Sequence, residues 1–278
     1  MSVARSASHR IPTSHRIAAR ALGSLTVLAA AGSLAGCSTT QQEAARLQLN
    51  SARIRASEIP IHVTAPGRAV QVARVALVSG GGQTAFIVQV HNPALRPVSD
   101  LPISVGVRIG ARRVVYVNSQ SPQEDSYFDA HLPVVAARGT LTWVYTTARR
   151  LPAHSRPFAL VGGQPTPAVP RVSQLPVIRA SALSGTPAAA GAGTPATVGA
   201  ASHRAASQLA IALHNLSGVP QYQLQVYAFA QTAGRYVAAG DITVAHLGSQ
   251  GSATLRLGLL GSLRHARLQI EALPTIFQ

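Results

Sequence analysis

The chain has 278 residues, of which 47% are apolar and only 4% aromatic, so aliphatic side chains and alanine must fill one or two packed cores. All 24 basic residues are arginine and eight acids oppose them, which gives a formal net charge of +16. The absence of lysine excludes a P-loop, a Schiff-base enzyme and a Ser-x-x-Lys nucleophile. Because no basic run alternates with aromatic residues, we expect no nucleic acid partner.

The first 36 residues have the composition of an export signal. Residues 1–20 carry four arginines and no acid, residues 21–36 are apolar, and small residues precede Cys37. The apolar run is shorter than the roughly 20 residues of a membrane-spanning helix. We therefore predict a cleaved signal peptide over residues 1–36 and export by the general secretory route, with an uncleaved N-terminal anchor as the alternative.

Leu34-Ala35-Gly36-Cys37 closes this apolar run and resembles the lipobox of bacterial lipoproteins at every position. The resemblance implies that the Cys37 sulfur receives a diacylglyceryl group and that Cys37 becomes the mature N-terminus. Because each buried methylene contributes about 0.8 kcal/mol, a pair of acyl chains anchors a protein stably. The expected location is the outer face of the cytoplasmic membrane or the outer membrane, facing the periplasm or the cell exterior.

Cys37 is also the only cysteine of the chain. An intrachain disulfide is therefore excluded, and lipidation of this thiol leaves none for catalysis. The residues that follow are polar and rich in Gln, Ala and Arg. We predict a lipidated N-terminus and flexible tether over residues 37–58.

From Val70 onward, short strand-like runs alternate with Gly, Pro and Asn, and no long amphipathic helix is indicated. The pattern occurs twice, which predicts an all-β protein with an internal repeat. Four matches occur in the same order in both copies: His91-Asn92 with His214-Asn215, Arg113-Val-Val with Arg235-Tyr-Val, Ala130-His131-Leu132 with Ala245-His246-Leu247, and residues 140–143 with residues 254–257.

Each copy has about 100 residues and six or seven short strands, the size and rhythm of an immunoglobulin-like sandwich. The strand-His-Asn-turn-strand segment resembles the extracytoplasmic sandwich modules of bacteria, of the immunoglobulin-like or fibronectin-III-like kind. The resemblance implies two tandem β-sandwich domains at residues 59–162 and 175–278, joined by a Pro-rich linker at residues 163–174. The low-complexity stretch 184–207 is expected to be a surface loop of the second module.

Asn92 and Asn215 are expected at the strand ends because asparagine tolerates the backbone of the turn that follows. Trp143, with Leu257 as its counterpart, is expected to point into the core, since alternate residues of a strand share a face. A tryptophan in a binding site is the alternative.

Glu124, Asp125 and Asp129 form the only acidic cluster of the sequence. Such carboxylates could bind Ca²⁺ or serve as a catalytic pair in glycoside hydrolysis, but a solvated loop is the simpler interpretation. The histidines repeat without metal-ligand spacing, so we expect them to be structural and predict no metal site beyond this weak candidate cation cluster, and no cofactor.

No catalytic motif occurs, although a dispersed Ser-His-Asp site remains open. We therefore predict a membrane-anchored, non-enzymatic lipoprotein of the cell envelope that acts as a structural protein, an adaptor or an interaction module with an envelope protein partner. Without the four signal arginines the net charge is 16 − 4 = +12. This charge favours an alternative, a binding module for an anionic wall polymer or lipid.

Overall fold

The computed structural model describes Glu43, Leu47 and residues 63–110, 113–118, 127–149, 151–152, 154–163, 175–183 and 207–276. The strands all belong to one unit that spans Ala44–Gln278. They pair in antiparallel sheets, which confirms the all-β prediction. No helix among the described residues is long and apolar enough to cross a membrane. The predicted signal peptide and lipobox, and nearly all of the tether, lie outside these residues.

Thirteen strands and one short 3-10 helix follow one another in the described part of the chain. They are β1 (Gln71–Gly80), β2 (Gln83–His91), β3 (Val98–Ile109), β4 (Arg113–Tyr116), η1 (Tyr127–Asp129), β5 (His131–Val135), β6 (Thr140–Thr147), β7 (Arg156–Val161), β8 (Ile178–Ala182), β9 (Ser207–Asn215), β10 (Gln221–Thr232), β11 (Arg235–Leu247), β12 (Ser252–Gly261) and β13 (Arg267–Leu273).

Strands β1–β7, the first set, form two facing sheets. One contains β1, β2 and β6, and the other is centred on β3, which pairs with β4 and β7 on opposite edges of its C-terminal half and with β5 along its N-terminal half. Alternate residues of these strands point between the sheets, among them Val88, Val105 and Trp143, all at 0% exposure. The first set is therefore a sandwich-like pair of layers around an aliphatic core.

Strands β8–β13, the second set, repeat part of this pairing, although a short contact between β11 and β12 joins them into one six-stranded sheet. β9 pairs with β8 and β12, as β2 pairs with β1 and β6, and β10 pairs with β13 as β3 pairs with β7. Irregular backbone positions recur as well: φ is 54° at Asp100 and 52° at Gln223, and it is 53° at Arg138 and 52° at Gln250. The two copies in the sequence thus share strand register and local backbone distortions.

The register corrects two of the matches made from the sequence. His91 lies opposite Thr140 and His214 lies opposite Ser252, so Leu255, and not Leu257, is the counterpart of Trp143. The reason is that alternating apolar residues match equally well after a shift of two positions.

His131 and His246 are not counterparts either. His131 lies opposite Pro102 on β3, whereas the corresponding residue of β10, Gln225, lies opposite Thr243. The first set interrupts this edge between β4 and β5, while β11 runs through without a break. The sequence match missed this difference in length.

The two sets pack against each other along a contact that we call the seam. Sheet β1-β2-β6 covers β10 and β11, and one core cluster contains Ile87 and Val144 of the first set together with Tyr227, Phe229 and Ala239 of the second. Strands β2 and β6 are thus buried on both of their faces, whereas β1 is largely exposed. This explains why the middle of β2, Ala85–Val88, is continuously apolar rather than alternating.

Candidate functional site

The seam contains polar side chains as well as apolar ones. Tyr227 on β10 lies opposite Asp241 on β11 and opposite Glu271 on β13, so the three side chains form a row on one face. Thr146 Oγ1 donates to Asp241 Oδ1 at 2.5 Å, and the Thr142 backbone N–H donates to Glu271 Oε2 at 3.3 Å. Strand β6 of the first set therefore bonds to both carboxylates of the row.

Burial perturbs the ionisation of two members of this row. It raises the pKa of Glu271 from 4.5 to about 7, and the hydrogen bond from Thr142 only partly opposes this shift. Burial, followed by the charges of Asp241, Asp129 and Glu271, raises the pKa of Tyr227 well above 10. The Trp143 indole beside the Tyr227 hydroxyl partly opposes this rise of the pKa, although the two groups do not reach the geometry of a regular hydrogen bond. Burying these polar groups in the apolar seam therefore costs folding free energy.

A second feature, which we call the arginine face, lies on the outer side of β3, β4 and β7. Gly106 lies opposite Tyr116 and Phe158, and Arg108 lies opposite Arg156. A Cβ at Gly106 would stand 2.9 Å from the Phe158 ring, so the glycine gives this ring the space to lie across β3. The five residues form one continuous patch.

Aromatic and cation–π contacts hold the side chains of this patch in place. Tyr116 meets Phe158 edge-on with ring centroids 5.5 Å apart, and the Arg108 guanidinium carbon lies 5.3 Å from the Phe158 centroid. Phe158 is only 9% exposed although it lies on the outer side of the sheet. Arg108 and Arg156 are both exposed. The patch thus presents two cations over an aromatic base.

The arginine face is strongly unbalanced in charge. Among the described residues of β3, β4 and β7 there is one acid, Asp100, which is buried near the start of β3. Two like charges directly opposite each other on neighbouring strands destabilise a sheet. The Arg108–Arg156 pair is therefore unfavourable for folding by itself, and an anion between the two guanidinium groups would relieve the repulsion.

The site residues predicted from the sequence are for the most part outside the described residues. This applies to Cys37, Leu34, Ala35 and Gly36 of the lipobox and to Glu124 and Asp125 of the acidic cluster. Asp129 is described, in η1, where its carbonyl accepts from Asn118 Nδ2 at 2.8 Å. Within the described ranges, no group of three or more His, Cys, Asp or Glu is arranged to hold a metal.

The histidines make local contacts within their sheets. His91 Nδ1 lies 3.4 Å from Thr140 Oγ1, and His214 Nδ1 lies 2.7 Å from Ser252 Oγ. His131 is buried and stacks on Tyr127 with ring centroids 4.0 Å apart. Burial lowers the pKa of His131 from 6.5 to about 4, although its ring nitrogen bonds to the Tyr127 carbonyl. Only His91 and His214 occupy corresponding positions in the register.

Asn92 and Asn215 form hydrogen bonds with the backbone of nearby loops through their side chains. The Asn92 amide donates to the carbonyls of Arg96 and Ala136, at 2.8 and 3.0 Å, and Asn215 makes two corresponding contacts at 2.8 and 2.9 Å. Their side-chain oxygens accept from the backbone N–H two residues on, at 2.9 Å from Ala94 and 3.0 Å from Ser217. Each asparagine therefore supports the turn after its strand, as expected, without a positive φ of its own, and its amide also joins that turn to a second loop.

Sequence reasoning missed the residues of the arginine face and of the row in the seam. Trp143 lies in the core at 0% exposure, and its indole N–H donates to the Phe128 carbonyl at 3.2 Å. Glu271 gave no signal, because the alternation of RLQIEAL places it with Arg267 and Gln269 on the polar face of the strand. Arg108 and Arg156 gave no signal, because only strand pairing shows that they are neighbours.

No family model matches the chain, and no curated protein does. Among solved structures, the chain is similar to a crystal structure of red sea bream transglutaminase, with 12% identity and a TM-score of 0.19. The similarity covers 73% of this chain and 29% of that chain, so the chain spans less than a third of its length. The match is to an enzyme and contradicts the prediction that the protein is not one, which we withdraw. It assigns no role to any residue here.

Proposed function

We propose that the protein is an exported lipoprotein of the cell envelope, anchored to a membrane through Cys37, whose folded part acts as a structural or adaptor protein for an envelope partner. The lipobox match at residues 34–37 supports the anchor. The seam supports the adaptor role, because a shared core holds the two strand sets as one body that could bridge two partners.

In this proposal the two strand sets are tandem immunoglobulin-like modules. In the first set, β1, β2 and β6 are neighbours in the same order as strands A, B and E of that fold, and β3 and β7 are neighbours like strands C and F. In the second set, β8, β9 and β12 and the pair β10 and β13 are neighbours in the same way. The division into modules at residues 59–162 and 175–278, with the linker at 163–174, belongs to the same proposal.

Lipidation is tested by metabolic labelling with palmitate in cells that make the full chain. We expect label in the wild type and in the neighbouring control Ser38→Ala, and none in Cys37→Ser, because only the cysteine sulfur can carry the diacylglyceryl group. Equal labelling of wild type and Cys37→Ser would show that the anchor is wrong.

A second candidate function is binding to an anionic envelope polymer. The arginine face favours it, since exposed Arg108 and Arg156 form a cationic pair without a neighbouring acid among the described residues of their strands. Retention of the purified protein on isolated cell wall that falls steeply with added salt is the expected result. Retention that does not change with salt would contradict it.

A further inference from the structure

We propose that the arginine face binds the phosphate groups of a linear polyanion, with Arg108 and Arg156 as the contacting side chains. This inference rests on the second function proposed above and gives it a site and a ligand chemistry. It follows from the geometry of the two arginines, from their surroundings and from the comparison with the seam.

The two guanidinium groups are placed to bind one ligand together. Arg108 and Arg156 are directly opposite each other on β3 and β7, so their side chains leave the same face from neighbouring strands. A guanidinium presents a planar fork of donors that matches phosphate oxygens. Along a chain of phosphates each group offers non-bridging acceptor oxygens, so one fork can bind one phosphate and the neighbouring fork the same or the next one. The pair is therefore suited to a chain of phosphates.

The Arg108 side chain is already ordered before a ligand binds. The Phe158 ring lies over Gly106 and meets the Tyr116 ring edge-on, and these contacts fix its orientation. The Arg108 guanidinium carbon lies 5.3 Å from the centroid of the Phe158 ring. An arginine that is already ordered loses less side-chain entropy when a ligand binds. Arg108 would thus be the ordered member of the pair, and Arg156 the adaptable one.

The arginine face differs in charge from the equivalent surface of the second set, which lies in the seam. Gly106 corresponds in register to Phe229, so the arginine face and the seam side of β10, β11 and β13 are equivalent surfaces of the two sets. In the seam this surface carries Asp241 and Glu271 and is covered by strands that donate to them. In the first set Leu160 stands at the position of Glu271, and the pair Arg108–Arg156 takes the positions of Gln231 and Arg267. The first set thus lacks this acid and carries one cation more, which favours an anion as its occupant.

The occupant is a polymer rather than a membrane surface. A membrane-binding face inserts protruding apolar side chains between the lipids. On the arginine face only Val114, at 47% exposure, is an exposed large apolar residue among the described ones, while Phe158 is 9% exposed. A flat cationic surface with a buried aromatic base suits a chain of phosphates that lies along the sheet.

The test measures the affinity of the full chain, purified in a neutral detergent, for fluorescently labelled polyphosphate. We compare the double variant Arg108→Gln, Arg156→Gln with the double variant Arg179→Gln, Arg256→Gln. The control arginines are exposed on the outer face of β8, β9 and β12 and do not lie opposite each other. Both double variants change the net charge equally, so any difference between them reports the site.

We expect the Arg108 and Arg156 double variant to bind at least about tenfold more weakly at near-physiological salt, because charge-assisted contacts are lost. The control should lose less than about threefold, as expected for screened long-range attraction. The single variant Arg156→Gln leaves the Arg108–Phe158 contact intact and should also bind more weakly, which separates loss of the site from loss of folding.

Other results would overturn the inference in distinguishable ways. Equal losses in both double variants would mean that binding follows overall charge, which removes the site but keeps the second function. No binding of polyphosphate by the wild type would remove the inference, whereas the second function would still be decided by the salt dependence of retention on cell wall. Binding to vesicles that contain anionic phospholipid, without binding to polyphosphate, would assign the face to a membrane instead. None of these outcomes affects the lipid anchor, which labelling tests separately.

Discussion

The seam and the arginine face are equivalent surfaces of the two strand sets with opposite chemistry. In the seam, Phe229 and Tyr227 fill the contact and the acids bond to strand β6 of the first set. On the arginine face, Gly106 occupies the position of Phe229, Leu160 that of Glu271, and the exposed Arg108 and Arg156 those of Gln231 and Arg267. The comparison teaches that one fold can present the same surface as a core or as a binding face, depending on a few side chains.

The largest effect is expected from breaking the seam. Phe229→Ala removes a ring that is 1% exposed and should lower the free energy of unfolding by about 3–5 kcal/mol, because a cavity remains. Urea denaturation measures this loss. Leu95→Ala is the control, since Leu95 is 78% exposed and its loss should be nearly neutral. Similar losses in the two variants would mean that the seam is not a packed core.

The buried asparagines should show that both sets depend on the same loop contacts. Asn92→Ala and Asn215→Ala each leave buried carbonyl groups without a donor and should each cost about 2–3 kcal/mol. Thermal unfolding followed by circular dichroism measures both. If only one of the two variants were destabilised, the two turns would not be equivalent.

The stability of the fold should depend on pH through Glu271 in the row of the seam. Because burial raises the pKa of Glu271 to about 7, the folded protein holds a proton that the unfolded chain releases above about pH 4.5. This carboxyl therefore stabilises the fold less as the pH rises from about 4.5 to 7. The lowered pKa of His131 acts in the opposite direction below pH 6.5, so the wild type alone cannot isolate Glu271.

Glu271→Gln isolates the contribution of the row. The melting temperature of the wild type minus that of Glu271→Gln should fall between about pH 4.5 and pH 7 and level off above that range. Gln269→Glu is the matched control, because it places a carboxyl at an exposed position of the same strand and should shift the melting temperature little with pH. A difference that stays constant with pH would show that Glu271 is not buried in the seam.

The smallest effect is expected on the arginine face. Arg156→Gln should leave stability unchanged or raise it by a few tenths of a kcal/mol, because it removes a like-charge neighbour of Arg108. Arg108→Gln should lower it by about 0.5–1 kcal/mol through the lost contact with Phe158. A marked loss in Arg156→Gln would mean that this arginine serves folding, not binding.

The sequence predicted the parts of the fold that depend on local pattern. Alternating apolar residues, turn residues and the absence of long helical periodicity gave the all-β class, and the His-Asn matches identified corresponding strands. It misplaced the counterparts of Trp143 and His131, because a two-residue shift preserves the alternation and a break between β4 and β5 changes the spacing. Register is decided by hydrogen bonds between distant segments, which the alternation does not specify.

By itself, the sequence determined that the described part of this protein is built of strands, because strand formation follows from the period-two apolar pattern of the chain. Only the tertiary structure decided which faces of those strands are covered. The seam buries one outer surface and leaves the arginine face open, and it places Asp241, Tyr227 and Glu271 in one row. These juxtapositions join strands that are far apart in the chain, and they depend on packing rather than on local pattern.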